Sequence, residues 1–456
     1  MNVCERFAKH VVDTTFEDLP QDVVETAVKD IFDTIGVAVA AAGREGGKEL
    51  VEMYEPVGGK PECTIIGYDG LKLPLENAAI INGTTAHSLD FDDVTLSTGH
   101  MGVIIVPTAL AVAQHVGDVS GKDIITAIVL GHDIACRLGE ASVPLSLGPG
   151  WHYTPLYGIF GATAVAGKLL GLDADQMANA FGIAYTQAAG NRQSIRDGAL
   201  SKRMAAGIAD RAGCFSAVAA QHGITGPINC FDGDFGLFNV YHRGEFANEA
   251  ALLDKLGERF TLPTVSFKSY PSCAATEPSI EATLELMKEY GFTADDVDRV
   301  VAHASIHSSN SCNPPEIKMN PRNEVDAQFS IPWVVACALV NGKVTIDMLT
   351  DEAVQDEAIR AICRKVTPVV DLETEGPGAS FPGLVEITLK DSRVLSRREE
   401  APTGHPSKPM SWEQLEQKFD GNVGTKGYTG EKLAQLKDVL RGFVNIQNVD
   451  ELMNLI

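Results

Sequence analysis

The chain has 456 residues, more than one hydrophobic core normally serves, so two structural units are expected. Hydrophobic residues make up 45% and charged residues 21%, a composition of a folded chain rather than a disordered one. The formal net charge of -24 repels phosphate backbones and anionic lipid, which argues against nucleic-acid and membrane partners and makes any local cluster of Lys and Arg informative.

From the N-terminus, MNVCERFAKHVVDTTFEDLP carries acids early and lacks an apolar core, so no secretory signal is expected. Pro20 stands where a helix starts, and Val24, Ala27, Val28, Ile31 and Ile35 then recur at three- and four-residue steps on one face. The longest nearly apolar stretch, Gly102 to Ala113, is well short of the ~20 residues of a spanning helix. Ser120-Gly-Lys-Asp123 resembles a capping box ahead of Ile124, Ile128, Ile134 and Ala135. The segments 157–170 and 203–222 are rich in Ala and Gly, as central buried helices require for close approach. Composition shifts near Leu262-Pro263. Beyond it, Arg299 to Ile306 alternates like a strand, and Gly383–Leu389 and Arg393–Arg397 flank Lys390-Asp391-Ser392 as a hairpin. Helical stretches are expected at about 278–290 and 351–364. Helices return after Gly404-His405-Pro406, with Ser411-Trp-Glu-Gln414 as a capping box and Thr429 as a cap for the stretch to Phe443. The fold class read from this pattern is mainly α with an α+β part. Residues 1–262 plus 405–456 form a discontinuous helical domain, and 263–404 an α+β insert.

The nine cysteines are scattered without a C-x-x-C pair, which points to a reducing compartment. A cytoplasmic location is the expectation, with the mitochondrial matrix as its alternative. There is no G-x-x-x-x-G-K-[ST], strand-bound G-x-G-x-x-G, H-E-x-x-H or G-x-S-x-G. The remaining chemistry is that of side chains alone.

Four constellations are candidates. His87-Ser-Leu-Asp90-Phe-Asp92-Asp93-Val-Thr95 through His100 is a dense polar run between apolar helices. It reads as an acid/base site with His100 active and Asp90 orienting it or helping hold the substrate, as a capped solvated loop, or as a metal site of His87, Asp90, Asp93 and His100. Arg192, Arg196, Lys202 and Arg203 form a basic cluster suited to carboxylates, or an exposed salt-bridged turn. Lys268, in Phe267-Lys-Ser-Tyr270-Pro-Ser-Cys273, stands at the domain junction, either reaching into a cleft or lying on the surface, while Tyr270 and Cys273 read as packing residues. His152, in Gly148-Pro-Gly-Trp-His-Tyr153-Thr, either faces a pocket or is structural. His132 reads as a core histidine, and His303 and His307 receive no role.

Together these segments resemble the MmgE/PrpD family, which includes 2-methylcitrate dehydratase, cis-aconitate decarboxylase and iminodisuccinate epimerase. The carrying residues are Asn82-Gly-Thr-Thr-Ala-His-Ser-Leu-Asp-Phe-Asp-Asp93, Gly150-Trp-His152, Asp197-Gly198 with Ser201-Lys-Arg203, Lys268-Ser-Tyr-Pro-Ser-Cys273, Ala327-Gln-Phe-Ser-Ile-Pro332, and Gly404-His-Pro406 with Lys418-Phe419. The resemblance implies a large all-helical domain, a smaller α+β lid domain, a homodimer, and no metal or organic cofactor. It implies a lyase acting on a small anionic di- or tricarboxylate, with an epimerase of an amino- or imino-dicarboxylate and a catalytically silent carboxylate binder as alternatives. It places the family's active-site residues on Asp90, His100, His152, Lys202 and Lys268; from the basic cluster itself, Arg192 or Arg196 is expected to help Lys202 and Lys268 bind substrate carboxylates. The sequence departs from the family pattern at Val94, Met101, Glu277 and Trp333, expected to lie near the substrate.

Overall fold

The computed structural model describes residues 1–143, 150–372 and 381–456. It is mainly helical, with a smaller α+β part; the large part is not all-helical as expected, because Cys63–Thr64 pairs antiparallel with Lys72–Leu73 in a short two-stranded ribbon. Gly148 and Pro149 of the glycine loop lie outside the described residues. Among the described residues, no helix is long and apolar enough to cross a membrane.

The helical part is built around Ser201–Gln221, which packs on Tyr153–Leu169 and on Leu75–Ala86. Small residues set this approach. A Cβ at Gly207 would stand 2.1 Å from the Ile80 carbonyl oxygen, and one at Gly213 would stand 2.4 Å from the Ala162 methyl. The expected buried helices are therefore present, and glycine is what brings their backbones together.

Helix Gln21–Ala41 begins after Pro20, and Ala27, Val28, Ile31 and Ile35 are buried as the periodicity requires. From Asp30 onward it is buried on all sides, so its polar residues Asp30 and Asp33 are interior groups needing partners. The Ser120 capping box forms over Gly121–Ala141, and the Ser411 box forms over Trp412–Gly424. Thr429 occupies the N-cap of Gly430–Arg441, but its side chain makes no capping bond, and the helix stops short of Phe443. The C-terminal helices join the same hydrophobic cluster as the N-terminal ones. Phe419 lies 4.3 Å from Phe32, ring centroid to centroid, over Gly36.

The α+β part holds a four-stranded mixed sheet in the order Val366–Leu372, Val297–Ser305, Gly383–Leu389, Val394–Glu399. The hairpin pairs Gly383 with Glu399, close to the expected register. Val366–Leu372 runs parallel to Val297–Ser305, a strand the sequence reading did not contain. Its Pro368 obscures it, and its edge position is what makes Pro368 acceptable. Helix Glu277–Tyr290 packs on the hairpin strands, and Ile331–Asn341 packs against that helix. The expected helix at 351–364 is shorter, Glu357–Cys363, preceded by the 3-10 turn Ala353–Gln355. His303 is held at 2.8 Å by each of Asp371 and Glu386 across the sheet.

Candidate active site

Four helix ends meet at one buried point. His87 closes helix Leu75–Ala86, His100 stands two residues before Gly102–Val116, His152 caps Tyr153–Leu169, and Lys202 lies in the first turn of Ser201–Gln221. Three of these ends are N-termini, whose free amides and dipoles favour negative charge. Lys268 arrives on the segment that joins the two parts, whose Val265 and Phe267 pack in the helical cluster. Val94 and Ser266 exchange backbone hydrogen bonds of 2.9 and 2.8 Å, laying the 266–268 segment along the polar run. Phe267 then donates its N–H to the Gly404 carbonyl at 3.1 Å, and only glycine fits at 404. Its φ is +97°, and a Cβ there would sit 1.8 Å from the Phe267 carbonyl oxygen.

Asp90 is the hub. It is 1% exposed and takes a left-handed backbone with φ of +50°, an uncommon conformation that Asp tolerates and that clusters at functional sites. Lys202 donates to its Oδ1; Lys268 donates to its carbonyl oxygen at 2.5 Å and to its Oδ2 at 3.2 Å. His100 Nε2 lies 4.0 Å from Oδ1. Burial works to raise the Asp90 carboxyl, but the Lys202 and Lys268 ammonium groups, with His100, outweigh it and hold it well below the usual carboxylate range. Lys268 is itself 0% exposed; burial works to lower it, and Asp90 and Asp92 more than compensate. Phe329 lies under the Lys202 ammonium, 5.1 Å from ring centroid to Nζ.

The carboxylate that holds His100 is Asp92, not Asp90. His100 Nδ1 lies 2.8 Å from Asp92 Oδ2 and 2.8 Å from the Asp93 carbonyl oxygen, both acceptors, which puts the proton on Nδ1 and leaves Nε2 toward Asp90. The same Asp92 oxygen accepts from His87 Nδ1 at 3.1 Å, and the two imidazole rings lie 4.7 Å apart. Burial works to raise Asp92, and His87 and His100 hold it well below its ordinary value. Burial, with Lys202, pushes His87 down to about 4. His152 is also pushed well below the usual imidazole value by burial and by Lys202, so it is neutral at neutral pH.

Asp93, named in the metal quartet, turns the other way. It accepts the Gly102 N–H at 2.9 Å and shares that glycine's surroundings with Asp30. Burial raises both acids well above the carboxylate range, each helped by neighbouring carboxyls. His132 reaches Asp30 at 2.9 Å, so it is a core histidine with a partner. Among the described residues, the quartet whose ligand atoms lie close enough to share an ion is His87, Asp90, Asp92 and His100, and two of its oxygens already carry lysine ammonium groups.

The remaining candidates divide. Arg192 and Arg196 line a cavity of about 330 Å³ between the helical and α+β parts, whose lining does not include Asp90. Arg203 is withdrawn from the site, donating to the Glu45 carbonyl at 2.9 Å and pairing with Glu324 at 3.3 Å. Trp333 belongs to the hydrophobic cluster of the α+β part and donates to the Met348 carbonyl, and Met101 is buried in the helical cluster. Glu277 is buried, accepting the N–H groups of Ser269 and Tyr270 at 2.8 and 3.0 Å, which fixes the backbone after Lys268. Burial, eased by Lys268, pushes its carboxyl up to about 8. Lys418 was missed as a support: it pairs with Asp33 at 2.7 Å and donates to the Phe91 carbonyl at 2.7 Å, so the C-terminal helix braces the segment between Asp90 and Asp92. The alternation Asp90-Phe-Asp92 carried the signal for Asp92; Lys418-Phe419 was marked only as a motif of the resemblance, with no role attached to Lys418.

Residues 5–249 match the family model of the MmgE/PrpD N-terminal domain, and residues 270–441 that of the MmgE/PrpD C-terminal domain. The chain is similar to a cis-aconitate decarboxylase-like protein of Aspergillus oryzae, 26% identical over 100% of this chain and 97% of the relative. It is also similar to cis-aconitate decarboxylase of Aspergillus terreus, 26% identical over 96% and 93% of the two chains. With 2-methylcitrate dehydratase of Escherichia coli it shares 25% identity over 80% and 78%.

Proposed function

The chain belongs to the MmgE/PrpD family, and from that premise we propose that it is a lyase, a dehydratase or decarboxylase, acting on a small di- or tricarboxylate by proton transfer next to a carboxylate, without a metal or organic cofactor. The observation that carries this reading is the convergence of Lys202, Lys268 and His100 on the buried Asp90.

Such chemistry builds negative charge on a carboxylate while a neighbouring carbon gains or loses a proton. Lys202 and Lys268, preorganised in a water-poor site, bind that carboxylate and stabilise the charge. Asp90 aims both lysines, and with Asp92 it favours the charged form of Lys268. His100 exchanges the proton with carbon through Nε2, and Asp92 fixes its tautomer and stabilises the imidazolium. His152, being neutral, serves as a hydrogen-bonding group for the leaving group rather than as an imidazolium acid. In dehydration, a proton passes from carbon to His100 and hydroxide leaves the adjacent carbon, forming a C=C bond. In decarboxylation, a carbon–carboxylate bond breaks, carbon dioxide leaves, and protonated His100 returns a proton to carbon. In this reading residues 263–404 act as the lid that carries Lys268, Arg192 and Arg196 assist in binding, and the protein is a homodimer, so light scattering gives twice the mass of one chain.

The test is ¹H NMR in D₂O with citrate, 2-methylcitrate, cis-aconitate, and amino- and imino-dicarboxylates. New vinyl signals with loss of water or carbon dioxide support the lyase. Deuterium entering an sp³ carbon with interconversion of diastereomers would replace it with an epimerase. A panel that raises the melting temperature but exchanges no carbon-bound proton would leave only a carboxylate-binding protein.

A further inference from the structure

The chain changes cores twice, and Lys268 stands at the first crossing. Phe267 packs in the helical cluster and Tyr270 against the cluster of the α+β part, so the crossing takes place at Lys268 and Ser269. The return crossing lies between Leu395 of the α+β cluster and Met410 of the helical one, with Thr403 and Gly404 on it. The two crossings run side by side. Phe267 donates its N–H to the Gly404 carbonyl at 3.1 Å, and the Ser269 hydroxyl donates to the Thr403 carbonyl at 3.1 Å.

Helix Glu277–Tyr290 holds both crossings with two carboxyl groups, four residues apart and so on one face. Glu277, its first residue, is 2% exposed, and its Oε1 accepts the N–H groups of both Ser269 and Tyr270. Glu281, also buried, accepts the Thr403 N–H at 2.7 Å through Oε1 and the Lys408 ammonium at 2.7 Å through Oε2. Among the described residues, the Ser269 and Tyr270 amides have no backbone acceptor, so the backbone just after Lys268 is fixed by Glu277. With its carboxyl pushed up to about 8 by burial, Glu277 makes this contact as an uncharged acid at neutral pH. The contact therefore needs the oxygen in place rather than a negative charge. The same helix packs on the hairpin strands, which links the sheet of the α+β part to the crossing.

We propose that Glu277 is a positioning residue for the reaction: with Glu281 behind it, it ties helix Glu277–Tyr290 to the crossing at 268–270 and so sets where the Lys268 ammonium stands against Asp90. Lys268 reaches Asp90 by two contacts, 2.5 Å to its carbonyl oxygen and 3.2 Å to Oδ2, and a backbone displaced beside it loses that pairing. The role of the ammonium itself rests on the lyase reading, but the tie is also tested without turnover.

The test compares three variants of the full chain. Glu277→Gln keeps an acceptor oxygen at the same reach, Glu277→Asp keeps the acid one methylene shorter, and Glu277→Met removes the acceptor. Amide hydrogen exchange across residues 266–272, read by mass spectrometry, should be at least ~10-fold faster in the Met and Asp variants and unchanged in Glu277→Gln. Glu281→Met should speed exchange across 402–408 instead. On the substrate that the NMR panel identifies, kcat/KM should fall ~10²-fold in the Met and Asp variants, the order expected when a substrate-positioning group is misplaced by ~1 Å, and stay within about threefold in Glu277→Gln. A purely structural role would lower the melting temperature but leave kcat/KM of the folded variants alone, and that result overturns the proposal. So does a Glu277→Gln enzyme as impaired as Glu277→Met, or exchange across 266–272 that no variant moves. If Glu277→Met does not fold, Glu277→Asp is judged by the same readouts, and a fall of ~10-fold or more in Glu277→Gln overturns the proposal whatever the others do. Faster exchange in a protein that turns over nothing on the panel would keep the tie and sink the lyase reading. Turnover with kcat/KM unmoved by the Met and Asp variants would do the reverse.

Discussion

Replacing Asp92 with Asn removes one charge and almost no volume. Its carboxylate stands 2.8 Å from His100 Nδ1 and 3.1 Å from His87 Nδ1, at a fully buried position. At an effective dielectric of ~20, a carboxylate and an imidazolium with charge centres ~4 Å apart interact by about 4 kcal/mol. Lys202, Lys268 and Asp90 are untouched, so part of the field at His100 survives, and a loss of about 3 kcal/mol in transition-state stabilisation is expected. This corresponds to a fall in kcat of ~10²-fold. An Asn can also present its amide N–H to His100, which admits the wrong tautomer and works in the same direction. KM should stay within about threefold, because the carboxylate contacts belong to the lysines. Steady-state kinetics on whichever substrate the NMR panel identifies measures both quantities, with a melting curve to show that the variant is folded. A folded Asp92→Asn enzyme with full kcat, or one that loses only KM, would mean that the carboxylate does not support a proton-transferring His100.

His100→Ala should lower kcat at least ~10³-fold with the fold intact, as loss of the acid/base group requires; retained turnover removes His100 from the mechanism. His87, pushed down to about 4 by burial and Lys202, takes up its proton in the unfolded chain near the ordinary value of about 6.5. Its contribution is therefore present above that pH and is lost as pH falls toward 4, about 3 kcal/mol in all. The drop in melting temperature between pH 6.5 and 4.5 should accordingly be smaller in His87→Gln than in the wild type, and equal drops would refute the assignment. EDTA dialysis should leave activity unchanged, because lysine ammonium groups already occupy the Asp90 oxygens of the only His/Asp quartet within ligand distance among the described residues. Activity lost to EDTA and restored by a divalent cation would reverse that reading.

The mainly α fold with an α+β part was legible in the sequence wherever the physics is local. A three-to-four-residue period, a Ser-x-x-Asp or Ser-x-x-Gln box and a strand-turn-strand alternation depend only on near neighbours, and Gln21–Ala41, the two capped helices and the 383–399 hairpin follow from them. The polar run from His87 to His100, flanked by apolar helices, was marked as a place where buried groups need partners. The family could be recognised from motifs in register along the chain, because those motifs are short and contiguous.

The tertiary structure decided which of those groups face one another. Asp90, Asp92 and Asp93 are three acids within four residues, and the sequence treats them almost alike. The left-handed turn at Asp90 separates them, sending one to two lysines, one to two histidines and one to the interior beside Asp30. Lys202 and Lys268 are 66 positions apart and meet because a glycine at 404 and a two-bond bridge at Val94 bring their segments together. Local periodicity reports which side of an element is buried. The partner a buried charge finds there depends on chain segments hundreds of residues away, and that is settled only when the two parts pack.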